Sequence, residues 1–284
     1  MPRQLRSLLV VVLAASGAAP VVADDTPPKP GDVREFEIAT GVKMKFCWIP
    51  PGHATLGSPA SEKDRDIDKA EHEYKSKGYW LGKYPVTQGE WQAVMGNNPS
   101  WLSKDGGGKE KVAGMDTNRF PVETVSWIDC GKFLDKLNER GGMEKVFRKR
   151  GKFVLPHEDE WEYACRGGRG NSRPFYFGDV LNGRQANCDG NSPYGTDTKG
   201  PYKGRTTEVG EYESEAPHPW GLCDMHGNVW QWCENWYDSE QKLRVLRGGS
   251  WFTVARICRA ACHVWGEPGY HDYDFGFRIC FRLD

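Results

Sequence analysis

Breaker residues set the first limit on what this chain can fold into. With 34 glycines and 18 prolines among 284 residues, few stretches run far enough without interruption to build a helical bundle or a doubly wound sheet. The 12 tryptophans supply apolar mass in large pieces, which suits a loop-rich domain with an aromatic core. No strand–helix–strand alternation, solenoid repeat or low-complexity tract is visible. The expectation is one compact mixed domain.

The start of the chain reads as an export signal over residues 1–23. Arg3 and Arg6 precede an apolar run at 8–19, and Val21-Val22-Ala23 offers small residues for cleavage before Asp24-Asp25. The run is too short to span a bilayer, which needs about 20 apolar residues, and no membrane span follows it. No cysteine follows to take a lipid. Residues 24–32, with Pro27, Pro28 and Pro30, read as a flexible linker, and 33–284 as the folded domain. The expected location is secreted or periplasmic. The 38 Lys and Arg nearly balance 39 Asp and Glu, and no basic block marks a nucleic-acid partner. A soluble monomer is expected.

Local signals place several elements. Residues 33–51 read as two strands around Thr40-Gly41, with Phe36, Ile38, Val42, Met44 and Phe46 in period two. Residues 61–77 are charged and aperiodic and read as a solvated loop. Thr87 and Glu90 form a capping box ahead of Trp91, Val94 and Met95. Ser126 can cap a helix to about residue 140, with Ile128, Leu134 and Leu137 toward the core. A third helix, 158–166, puts Trp161 and Ala164 on one face and ends at Gly167-Gly168.

The nine cysteines are an odd number for an exported chain. Their pairing is not readable from sequence, and Cys47, Cys130 and Cys165 sit in apolar stretches as small hydrophobes. Cys223-x-x-His226 with Cys233 lacks a clean fourth ligand for zinc. No nucleophile elbow, phosphate loop or dinucleotide fingerprint is present.

Read in order, seven blocks carry a family resemblance. They are Ile49-Pro50-Pro51-Gly52 with Leu56-Gly57-Ser58; Tyr84-Pro85-Val86-Thr87-Gln88-Gly89-Glu90-Trp91; Pro121-Val122-Glu123-Thr124-Val125-Ser126-Trp127; Leu155-Pro156-His157-Glu158-Asp159-Glu160-Trp161; His226-Gly227-Asn228-Val229-Trp230-Gln231-Trp232; Arg247-Gly248-Gly249-Ser250-Trp251; and Gly276-Phe277-Arg278. The chain resembles the sulfatase-modifying factor, or formylglycine-generating-enzyme-like, family, whose fold is related to C-type lectins. The resemblance implies a single α+β domain with little regular secondary structure, often holding structural calcium. It also implies a copper- and oxygen-dependent oxidation of a sulfatase cysteine to formylglycine.

The resemblance puts two copper-binding cysteines three and eight residues after the serine of Arg247-Gly248-Gly249-Ser250. Those positions are Thr253 and Cys258 here. Copper(I) is held by soft thiolates, so a threonine hydroxyl argues against oxidase activity. Cys262 is the candidate replacement, although in a strand it would lie about 13 Å from Cys258. Ser250 matches the serine beside the substrate thiol. Asn187 with Asp189, and Asn228, are the candidate calcium ligands; Gln231 stands where the family usually has glutamate, which removes charge that calcium favours.

Residues 252–275 also resemble the variable region of retroelement-diversified ligand-binding proteins of similar fold. The expected ligand-contacting set is Trp251, Phe252, Thr253, Val254, Ile257, Cys262, His263, Trp265, Tyr270 and Tyr273. The preferred reading is an enzyme-derived domain binding a peptide, protein or glycan through its C-terminal cleft. The alternatives are an oxidase acting on sulfatases through Cys258 and Ser250, and a diversified receptor.

Overall fold

The computed structural model describes residues 26–65 and 69–284; the expected signal at 1–23 lies outside them. The chain runs through β1 (Val33–Ala39), β2 (Val42–Ile49), β3 (Gly52–Leu56), β4 (His72–Ser76), β5 (Tyr79–Gly82) and α1 (Gln88–Met95). It continues through α2 (Trp127–Glu139), α3 (Met143–Phe147), β6 (Gly151–Val154) and α4 (Glu158–Cys165). After a long irregular stretch come β7 (Trp230–Trp236), β8 (Arg244–Arg247), β9 (His263–Gly266), β10 (Phe275–Phe277) and β11 (Cys280–Leu283). No helix among the described residues is long and apolar enough to cross a membrane.

Three sheets result. An antiparallel five-stranded sheet has the order β1-β2-β5-β11-β6, so strands from both ends of the domain lie side by side. A four-stranded sheet has the order β10-β7-β8-β9, with β10 parallel to β7. The third is the β3–β4 hairpin. The expected period-two face is present: Phe36, Ile38, Met44 and Phe46 are buried in the main core with Trp80, Trp91, Phe133, Trp232 and Phe277. Aromatic contacts knit this core, among them Trp91 stacked on Phe133 at 5.4 Å and Phe147 on Phe281 at 4.1 Å.

The helix starts follow their caps. Thr87 and Ser126 each accept from the third helical N–H while Glu90 and Asp129 answer to the cap backbone. His157 caps α4 by accepting from the Asp159 N–H. Two local expectations need correction. Ile128 is 45% exposed, because the first turn of α2 lies at the rim, where its N–H donates to Pro268 O. The 61–77 segment is not simply a loop: His72–Ser76 pairs with Gly52–Leu56, and charged residues around it turn inward. Lys69 donates to Glu158 and Asp159, and Arg259, fully buried, pairs with Glu62 at 2.5 Å. Ion pairing with distant residues, invisible to apolar periodicity, holds that segment.

One buried charge cluster ties the halves together. Arg247 at the end of β8 donates to Glu158 and Glu162 of α4 at 2.9 and 3.1 Å and to Ala260 O. Glu162 also accepts from Arg166 and from the Gly57 N–H. Burial by itself would raise the carboxyls of Glu158 and Glu162, but the adjacent guanidinium groups hold both below the ordinary range. Replacing one partner leaves buried charge uncompensated. Arg247→Met is therefore expected to destabilise the fold by about 3–5 kcal/mol, read as a lowered urea midpoint with unchanged slope.

Candidate functional site

Immediately after Arg247, the chain makes a tight loop through Gly248, Gly249 and Ser250. Gly249 has φ +73°, and a Cβ there would lie 2.5 Å from the Cys258 Sγ, so only glycine lets this loop close over that sulfur. The loop is fixed from below by the irregular region. Gly227 N–H donates to Gly248 O, Asn228 N–H to Asn187 O, and Trp251 N–H to Asn228 O. Three segments distant in sequence, around Asn187, Asn228 and Ser250, thus meet at one junction.

The sulfur pattern there differs from expectation. Thr253 Oγ1 lies 3.4 Å from Cys258 Sγ, so the two positions implied by the resemblance do come together. Cys262 does not join them; it is buried in the main aromatic core, whereas Cys258 sits in a separate apolar cluster with Phe175, Leu181, Ala186, Tyr194 and Ala255. The chain turns at Arg259 and enters β9 at His263, and this separates the two sulfurs. The second sulfur near Cys258 comes instead from Cys188, which shares its apolar cluster. Interaction with the Cys188 side chain, helped by the Thr253 hydroxyl, lowers the Cys258 thiol below its usual range, while the same interaction and burial raise Cys188. Nothing in the sequence around Cys188 flags this partnership, which exists only because Asp189 forms a parallel bridge with Val254.

Copper, implied by the resemblance, fits this donor set in part. Cys188 and Cys258 supply two sulfurs, but both are buried, at 1% and 0% exposure. The group standing at the implied first ligand position is a hydroxyl, committed to Ser250: Thr253 Oγ1 accepts from the Ser250 N–H at 2.9 Å and donates to Ser250 O at 3.0 Å. A reaction centre also needs room for a substrate thiol beside the sulfurs.

Of the candidate calcium ligands, Asn187 and Asn228 meet, side chain to side chain at 3.2 Å, while Asp189 is engaged locally. Asp189 accepts from Asn191 at 3.0 Å, while Asn228 Oδ1 accepts from Asn187 and the Thr207 N–H and its Nδ2 donates to Thr207 O and Asp224. Asn187 Oδ1 is buried without a hydrogen-bond partner. Gln231 is fully engaged too: it accepts from Trp161 and Arg278 and donates to Asp224 O. The buried Arg278 guanidinium already places positive charge there. The His226 of the discounted zinc pattern hydrogen-bonds Cys258 O at 2.7 Å, and burial lowers it to about 3, leaving it neutral.

Above the junction, aromatic rings gather. Trp251 contacts Phe252 at 5.4 Å and Tyr273 at 5.8 Å; Phe252 contacts Tyr273 at 5.9 Å. Two rings the sequence reading missed complete the group: Trp101 lies 5.4 Å from Tyr273, and Tyr202 lies 6.5 Å from Trp251. Lys111 stands 5.7 Å over Trp251. Phe252 and Tyr202 are 53% and 38% exposed. The remaining expected contact residues lie elsewhere. His263 and Trp265 group with Tyr237, Tyr270 packs on Phe275, and Ile257 packs against the main core. Val254 is tied into the bridge with Asp189. A strand and turn separate these side chains, so the expected set divides among several faces.

Two buried carboxyls underlie the rings. Ser250 Oγ donates to Asp274 at 2.6 Å. Glu123 accepts from the Trp101 and Leu102 N–H groups and from Thr124 Oγ1 at 3.0, 2.7 and 2.6 Å. Burial pushes Asp274 up to about 6 and Glu123 to about 7.

The family model of the Sulfatase-modifying factor enzyme 1-like domain matches residues 32–283, and the chain belongs to that family. The inactive C-alpha-formylglycine-generating enzyme 2 of Bos taurus is 30% identical over 218 residues, covering 74% of this chain and 61% of that protein. The formylglycine-generating enzyme of Streptomyces coelicolor is 26% identical over 214 residues, covering 66% of this chain and 62% of that protein. This chain thus spans under two thirds of both. Among solved structures, Treponema denticola variable protein 1 superposes with a TM-score of 0.69 at 26% identity, covering 88% of this chain and 99% of that one. The α+β, formylglycine-generating-enzyme-like fold expected from sequence is therefore the fold of this chain.

Glu123 supplies a pH test. Its folded value, about 7, lies above the ordinary 4.5, so its protonated form favours the fold. That contribution is full below about 4.5 and lost as pH rises through about 7. Relative to wild type, Glu123→Gln should gain about 3 kcal/mol between the two ends of this window, measured by urea unfolding at each.

Proposed function

We propose that this chain is a binding member of its family, exported from the cytoplasm, that holds a peptide, protein or glycan ligand on the aromatic face formed by Trp101, Tyr202, Trp251, Phe252 and Tyr273. The observation that carries this reading is the convergence of five rings from four separate segments, with Trp251 buried at 3% as the base and Phe252 and Tyr202 exposed above it. Exposed aromatic rings on a rigid frame give large contact area at low entropic cost. Beneath them, Ser250 is committed to Asp274 and Thr253 to Ser250, which suits a fixed floor. The likeness to the Treponema variable protein is compatible with this reading.

Tryptophan fluorescence titrations against panels of oligosaccharides and unstructured peptides test it. The combined Phe252→Ala and Tyr202→Ala variant is expected to weaken a bound ligand at least tenfold, since stacking on exposed rings carries about 1.4 kcal/mol or more. The thermal midpoint should stay within about 2 °C, as both side chains are on the surface.

The Cys188–Cys258 contact favours a second reading, an oxidase acting on a sulfatase cysteine. Incubating the protein with copper, oxygen and a cysteine-containing sulfatase peptide should leave the peptide mass unchanged. Conversion to the aldehyde that disappears in Cys258→Ser would put the catalyst first.

A further inference from the structure

We propose that Cys188 and Cys258 are a redox pair, interconverting between two thiols and a disulfide that covalently joins the irregular 166–229 region to the loop beneath the aromatic face. The two residues are far apart in sequence and are brought together by backbone pairing. Asp189 N–H donates to Thr253 O at 2.9 Å, and Asp189 bridges Val254 in parallel. This places Cys188 against the Ala255–Cys258 turn, where the two side chains lie inside one apolar cluster.

The chemistry balances with a disulfide oxidant, whether oxidised glutathione or a protein carrying an oxidised dithiol. Cys258, whose sulfur touches the Thr253 hydroxyl, attacks as the thiolate on one sulfur of the oxidant. A mixed disulfide forms and one thiolate leaves. Cys188 then attacks Cys258 Sγ, the intramolecular S–S bond forms, and the second thiolate leaves. Two electrons pass to the oxidant, and the two protons end on its thiols. Because both sulfurs are buried, exchange proceeds from a locally opened state. Once formed, the bond restrains the backbone that carries Trp251, Phe252 and Thr253, whatever those residues bind.

The test equilibrates the full chain in glutathione buffers of increasing oxidation, quenches in acid, alkylates under denaturing conditions and maps the peptides by mass. The expected result is a linked peptide joining Cys188 to Cys258, lost on reduction, with the other cysteines of the nine alkylated. Oxidation should raise the thermal midpoint by roughly 5 °C, and this rise should vanish in Cys188→Ala but persist in Cys130→Ala. The mapping uses the unmutated chain, so a variant that fails to fold does not weaken it. Full alkylation of both residues at every oxidation state, or a link from either to a different cysteine, would overturn the proposal. So would a metal retained between the two sulfurs that blocks their oxidation.

Discussion

The buried ion pair between Arg247 and the two α4 carboxylates is the constraint on which the site depends. Arg247 is the last residue of β8, and the next three residues form the loop that presents Ser250. Charges placed out of water must be matched in position and number, so α4 and β8 have little freedom relative to each other. The same cluster reaches Gly57 through Glu162 and Lys69 through Glu158, drawing the N-terminal hairpin region against the C-terminal half.

From that anchor, an extended stretch without helices or strands becomes a defined surface. Residues 166–229 bury few ladders but many specific contacts, including the Leu181–Tyr194 bridge and the chain of bonds from Asn187 through Asn228 to Trp251. Asn228 adopts φ +66° with its side chain fully hydrogen-bonded, a backbone state that asparagine tolerates better than most residues. Rigidity here comes from satisfied polar groups rather than from regular elements.

The site shows a family frame with changed chemistry. The Arg247-Gly248-Gly249-Ser250 loop closes over Cys258, and a hydroxyl at Thr253 stands beside that sulfur where the resemblance implies a second cysteine. A different sulfur, from Cys188, meets Cys258 on its buried side. The accessible side of the loop is aromatic. The cluster of Cys188 with Cys258 and the aromatic face thus lie on opposite sides of one short segment.

Local chemistry was legible from sequence wherever a few neighbouring residues decide the outcome. Thr87 and Ser126 capped their helices, the period-two residues of β1 and β2 turned inward, and seven motifs in order identified the family. Legibility ended where a residue's role depends on a partner far along the chain. The β4 strand has no apolar pattern and forms because β3 and the contact of His72 with Asp159 hold it. Trp101 and Tyr202 join the aromatic face, Trp265 and Tyr270 leave it, and Cys188 rather than Cys262 meets Cys258. By itself the sequence determined the fold family and the local frame, because capping, periodicity and motif order act over a few residues. The tertiary structure alone decided which rings and which sulfurs meet, because those contacts are set by long-range backbone pairing and buried charge.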